Sequence, residues 1–202
     1  MIQISNHMHE GTTGEKKIQE QQSSVKRANR FYEKQMFNKL NEKMKALIAT
    51  QEMVFIATSD SKGNCDCSPR FGEQGFITVI DDQTLAYPEY KGNGVFASLG
   101  NILENPHIGM VFVDFLNSTV GLHVNGSANS YTNSDLPLEY ASVLESRIKN
   151  SHMQIERWVI IHIDEAYIHC SKHVPKLYKA DKHILWGTDD EKAKLTNHFL
   201  NI

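Results

Sequence analysis

The chain has 202 residues, 40% of them hydrophobic and 22% charged, with a formal net charge of −3. That length suits one domain of ordinary size with a terminal appendage, and the composition suits a normal soluble core. Mild acidity without a long lysine or arginine run sets nucleic-acid binding aside. No apolar run approaches the roughly 20 residues that cross a bilayer. The start, "MIQISNHMHEGTTGEKK", lacks the basic-then-apolar order of a secretory signal. Three cysteines make no disulfide framework. The expectation is a reduced, cytoplasmic setting with no membrane partner.

The first dozen residues are polar and hold Gly11 and Gly14, which predicts a mobile or partner-dependent start. From Glu15 to about Phe37, Val25, Ala28, Phe31 and Tyr32 recur near helical spacing. Phe37, Leu40, Met44, Leu47 and Ile48 continue the period, so one or two amphipathic helices are expected, with a break near Asn38–Asn41. "MVFIATSD" then reads as a strand, and Ser61-Lys62-Gly63-Asn64 as the turn that returns it through "CDCSPRF". "GFITVI", "DDQ" and "TLAY" form a second hairpin. "HIGMVFVDF" is another buried strand, and "VGLHVNGSANSY" another, with a glycine marking a bulge. Asp135 to Asn150 places Leu138, Ala141, Val143 and Leu144 on a helix. "RWVIIHIDEAYIHC" is the last long strand, and a tail helix runs from Asp189 with Thr188 as N-cap. Six or more strands joined mainly by hairpins, with few and peripheral helices, predict a mainly β (α+β) antiparallel barrel.

Several stretches carry chemistry on two readings. Lys91-Gly92-Asn93-Gly94 stands directly before a helical pattern. It is either a surface turn or a phosphate seat, where backbone N–H groups and one cation meet. Arg70, taken alone, is an exposed strand arginine pairing with Glu73, or an anion ligand. Ser98 and Asn101 lie three residues apart, on one helix face. Cys65-x-Cys67 share a strand face, whereas His169 and Cys170 lie on opposite faces. Zinc sites more often use turn-borne C-x-x-C spacing, so no metal site is assigned. Trp158 and Trp186 read as core or interface aromatics.

The ordered set SPR, GF, LAYPEYKGN, SLGNILENP and VNG, running from Met53 to Ala128, resembles the pyridoxamine 5′-phosphate oxidase-like family of FMN-binding split β-barrels. The closer similarity is to its flavin-nucleotide-binding branch. "YEKQMFNKLNEKMKALIATQ" also resembles that branch, and "YIHCSKHVPK" does so less specifically. The resemblance implies a six-stranded antiparallel split β-barrel with peripheral helices and an N-terminal helical extension, assembled as a homodimer with FMN between subunits. Residues 1–50 are then a flexible segment and helices, 51–187 the FMN-binding barrel, and 188–202 a C-terminal helix.

By the same resemblance, Ser68, Pro69, Arg70 and Phe71 form the first flavin-contacting segment. Tyr87, Lys91 and Asn93 wrap the ribityl phosphate, Ser98 and Asn101 flank it, and His123 faces the dimer groove. Lys172 or Lys176 is offered to that groove. Better-known members carry an adjacent arginine–lysine pair in the turn, where this chain has one lysine with Gly-Asn-Gly. The C-terminal arginine and histidine region of a true pyridoxamine-phosphate oxidase is not recognisable, so that specific activity is not expected. The implied function is an FMN-dependent oxidoreductase acting on a small molecule, with NADH or NADPH a candidate electron donor and no catalytic residue assigned. The alternatives are a non-catalytic flavin-binding or redox-sensing module, and a haem-binding protein using His123 or His169.

Overall fold

The computed structural model describes residues 11–149, 154–185 and 187–188. Thr12 opens the first helix, α1 (Thr13–Gln21), with a capping box: its hydroxyl accepts from the Glu15 N–H, and the Glu15 carboxylate accepts from the Thr12 N–H. The chain turns at Ser23, which takes a left-handed φ of 51°, and enters α2 (Val25–Gln35). Gln19 donates to the Tyr32 hydroxyl at 2.7 Å, tying the two helices together. A two-residue strand, β1 (Met36–Phe37), leads to α3 (Glu42–Ala49), whose first turn is capped by the Asn41 side chain. Three helices therefore stand where the periodicity predicts one or two. The break after Gln21 carries no glycine or proline, so nothing in the local pattern marks it.

The rest of the chain builds β2 (Met53–Ser59), β3 (Cys65–Phe71), β4 (Thr78–Val79), β5 (Thr84–Tyr90), α4 (Ala97–Glu104), β6 (His107–Val113), β7 (Gly121–Tyr131), α5 (Leu138–Ile148) and β8 (Ile155–His169). All strands pair antiparallel in one sheet of order β3-β2-β6-β7-β8-β5-β4, with β1 added to β8. The sheet curls without closing, leaving β3 and β4 as edges. Six strands are long, and β1 and β4 have two residues each, so the expected six-stranded split barrel is present with two short additions. Among the described residues no helix is long and apolar enough to cross a membrane.

Alternation decides what faces inward. Val54 and Ile56 of β2, Met110 and Phe112 of β6, and Leu122 and Val124 of β7 are buried in one core with Leu85, Tyr87, Val159 and Ile161. Fully burying such a side chain contributes about 1.5–3 kcal/mol, which pins the register. β5 and β8 are covered on both sides. Their other face sends Ala86, Trp158 and Ile160 against Leu136 and Leu144 of the α5 region. Trp158 is thus a core residue, its indole N–H donating to Asn133 at 3.0 Å. On α5, Leu144 is buried but Leu138 is 89% exposed, so its predicted apolar face is only partly used.

Gly126 stands at a β-bulge between β7 and β8, as the glycine in that strand suggests. A Cβ there would lie 2.0 Å from the His162 carbonyl oxygen. The expected tail helix, Trp186 and most of the polar start lie outside the described residues.

Candidate functional site

β3 is an edge strand whose side chains alternate sharply in exposure. Asp66, Ser68 and Arg70 are half-buried on its inner side, whereas Cys65, Cys67, Pro69 and Phe71 point outward and are exposed. Pro69 is tolerated because an edge strand has no second neighbour to receive its missing N–H. The four consecutive residues expected to contact flavin are thus divided between two surfaces.

The inner surface is a polar seam between β3, β5 and α4. Ser68 and Ser98 both donate to Asp66 Oδ2, at 3.1 and 2.9 Å. Ser98 is buried in the first turn of α4, and Asn101, one turn further, donates to Thr58 of β2 at 3.0 Å. Arg70 Nε donates to Glu89 Oε2 at 3.0 Å, with the two side chains only 19% and 17% exposed. Arg70 therefore pairs with a partner 19 residues away on β5, not with the neighbouring Glu73 expected from sequence. Burial raises the Glu89 carboxyl pKa, and the Arg70 charge opposes that rise. Tyr87 lies beside them, wholly buried, and its hydroxyl meets no hydrogen-bond partner among the described residues. Burial pushes its phenol far above the ordinary value. Tyr87 is a core residue facing the seam from beneath.

The loop from β5 to α4 closes one end of the seam. Lys91 is exposed, and its backbone N–H donates to the Gln154 carbonyl at 2.9 Å. Asn93 uses its side-chain oxygen to accept from the Val95 N–H at 3.0 Å, so it holds the turn's shape. Phe96, at the helix entry, takes a left-handed φ of 54° and supplies no side-chain cap. The first-turn N–H groups of α4 are therefore left for another acceptor.

The outer surface is chemically different. Strand register sets Pro69, Phe55, Val111, His123 and Tyr167 in one row across β3, β2, β6, β7 and β8. His123 stacks on Tyr167 with ring centroids 4.7 Å apart, and its Nε2 shares a hydrogen bond of 3.0 Å with His169 Nδ1. Burial lowers the His123 pKa, as does the His169 charge, while Glu165 opposes them. Phe55 and Phe71 remain 36% and 47% exposed. Pro69, Phe71 and His123 belong to this face, and Ser68, Arg70, Ser98 and Asn101 to the seam.

Sequence reasoning missed Asp66, Glu89 and Tyr167. Asp66 was within reach, since it shares the period-two face of Ser68 and Arg70. Glu89 and Tyr167 are placed by pairings across the sheet, which carry no local signal.

A search of the curated proteins found no match. Among solved structures the chain is similar to HupZ of Group A Streptococcus, at 23% identity over 69% of this chain and 99% of that one, with a TM-score of 0.51. It is also similar to an FMN-binding protein from Syntrophomonas wolfei, at 16% identity over 79% and 98% of the two chains, with a TM-score of 0.48. At such identities the likeness to HupZ speaks for the fold alone. The family model for pyridoxamine 5′-phosphate oxidase matches residues 40–170, more than half the chain and all six long strands. The chain belongs to the pyridoxamine 5′-phosphate oxidase family.

Proposed function

We propose that the chain binds FMN, seats the phosphate in the seam at the start of α4, and uses the flavin for redox chemistry on a small molecule. One observation carries this reading: the first turn of α4, which has no side-chain cap, stands beside the hydroxyls of Ser68 and Ser98, and the Arg70 guanidinium lies on the same face of β3 as Ser68. Helix N–H groups, hydroxyls and a guanidinium are the donor set that a phosphate dianion requires. The residues fit the group. Family membership supports the same cofactor, and the flavin, once bound, supplies the hydride or electron transfer.

The chain's own residues then divide the work. Glu89 holds the Arg70 fork in one orientation, leaving the guanidinium's other N–H groups for an anion. Asp66 gathers two hydroxyls at one point, and both can rotate toward a ligand that replaces it. Lys91 adds a second cation from the loop. The exposed aromatic row around Phe55 is apolar enough to need a cover, and a second copy of the chain is the proposed one.

The test is a titration of flavin-free protein with FMN and with riboflavin, which has the ring without the phosphate. Lys91→Ala is expected to weaken FMN by about ten- to a hundredfold, or about 1.5–3 kcal/mol, and to leave riboflavin nearly unchanged. Arg70→Ala, run in parallel, is expected to act in the same direction. Equal losses for both ligands would assign Lys91 to the ring pocket or the fold. A Soret band in place of a flavin spectrum would turn the reading to haem held by His123 or His169. Bound flavin that neither NADH nor NADPH reduces would favour a non-catalytic flavin carrier.

A further inference from the structure

A cleft of about 570 Å³ opens between α3, β1, the start of β7 and the end of β8. None of its lining residues belongs to the seam around Ser98 or to the aromatic row around Phe55. Strand pairing explains why it is apolar. Phe37 stands opposite Ala166 and Leu122 opposite Ile168, so all four share the sheet face that looks toward the core. Ala166 and Leu122 are buried there, but Phe37 and Ile168 remain 41% and 45% exposed. Met44 and Leu47, three residues apart on one face of α3, pack against the same core. The apolar interior therefore runs out to the surface at this end of the barrel, where nothing in the chain covers it.

The charges at the mouth have one sign. Lys34, in the last turn of α2, and Lys43, in the first turn of α3, line the cleft, and no carboxylate does. Among the described residues neither ammonium pairs with a carboxylate. Glu42, beside Lys43 in the chain, is taken instead by Lys45 at 2.9 Å. The polar neighbours are engaged within the chain: Asn41 caps α3, the Thr50 hydroxyl donates to the Leu47 carbonyl, and the Ser118 hydroxyl donates to Asp114. The cleft thus offers a visitor an aliphatic wall and two cations.

We propose that this cleft binds a free fatty acid of medium chain length. Its alkyl chain covers Phe37, Leu47 and Ile168, and its carboxylate is met by Lys34 and Lys43. An alcohol of the same length would leave both ammonium groups unanswered, and an alkyl cation would be repelled by them. The volume falls in the range of small-ligand clefts, about 300–1,000 Å³, which favours a small molecule over a protein segment. The site stands apart from the flavin reading, since it shares no residue with the seam.

The experiment titrates the full chain, below the critical micelle concentration, with decanoate, octanoate, 1-decanol and decyltrimethylammonium, followed by calorimetry and amide NMR. Decanoate is expected to bind saturably, 1-decanol roughly tenfold or more weakly, and the cation more weakly still. Octanoate should bind roughly tenfold more weakly than decanoate, as loss of two buried methylenes predicts. Changing Lys34→Gln and Lys43→Gln together, both at exposed positions, should bring decanoate down to the level of 1-decanol and leave 1-decanol unchanged. Ile168→Asp should weaken both. The proposal is overturned if decanoate shows no saturable shift, if it binds no better than 1-decanol or octanoate, or if either variant leaves its affinity unchanged. Cleft amide shifts that appear on raising protein concentration alone would give the cleft to a second copy and overturn it as well. FMN affinity should be unchanged in the double lysine variant, so a failure here leaves the flavin reading standing.

Discussion

The two sides of β3 solve opposite problems with one short sequence. On the inner side, Asp66 is met by two hydroxyls and Arg70 by Glu89, so the polar groups are partnered within the chain. On the outer side, Phe55, Pro69 and Phe71 present rings to solvent beside the stacked His123 and Tyr167. The inner side satisfies its donors and acceptors within the chain. The outer side leaves apolar surface in water. One edge strand thereby divides an internally paired polar face from an exposed apolar one.

The largest effect is expected where the sheet bends between these regions. Gly126→Ala forces a Cβ against the His162 carbonyl and should destabilise the fold by about 3 kcal/mol or prevent folding. Denaturant unfolding measures it, and a loss below about 1 kcal/mol would mean that β7 and β8 slide freely. Arg70→Ala comes next, because it strands the Glu89 carboxylate at 17% exposure. The expected loss is about 2 kcal/mol, partly recovered when Glu89→Gln is added. Failure of the second change to recover stability would deny the seam its internal pairing.

Phe55→Asp should move the folding stability of the isolated chain by no more than about 0.5 kcal/mol, since the ring is already exposed. Its effect should appear instead in light scattering, as loss of self-association. A variant that associates as the parent does would remove the outer face from the interface. The smallest effect is expected from pH. His123 has a pKa lowered from 6.5 by burial, so as pH falls the unfolded chain takes up the proton first. Its stabilising contribution is complete above pH 6.5 and is lost as pH falls through the depressed value. His123→Asn should flatten the stability profile in that window; a profile parallel to the parent's would exclude the imidazole pair as its source.

The strands were readable because burial on one face imposes a period of two, and "MVFIATS" and "HIGMVFV" carry it openly. The hairpin turn at Ser61–Asn64 and the bulged glycine were readable for the same local reason. The break between α1 and α2 was not, since one left-handed serine, Ser23, stands where a glycine or proline usually marks such a turn. Within the candidate site, the residue types suited to an anion were visible at Arg70, Lys91 and Ser98. Their grouping was not. Arg70 found Glu89 because β3 curls toward β5 across an open barrel, a distance in sequence that no spacing encodes.

Taken by itself, the sequence determined the six long strands and the supply of donors, both of which follow from short-range sterics and alternation. Tertiary structure alone decided that Ser68 and Phe71 serve different surfaces, that His123 meets His169, and that Lys34, Lys43 and Ile168 line one cleft. Each of these depends on which strands and helices lie side by side. Pairing across the sheet is set by burying the whole apolar face at once, a collective free energy that no single stretch of chain contains.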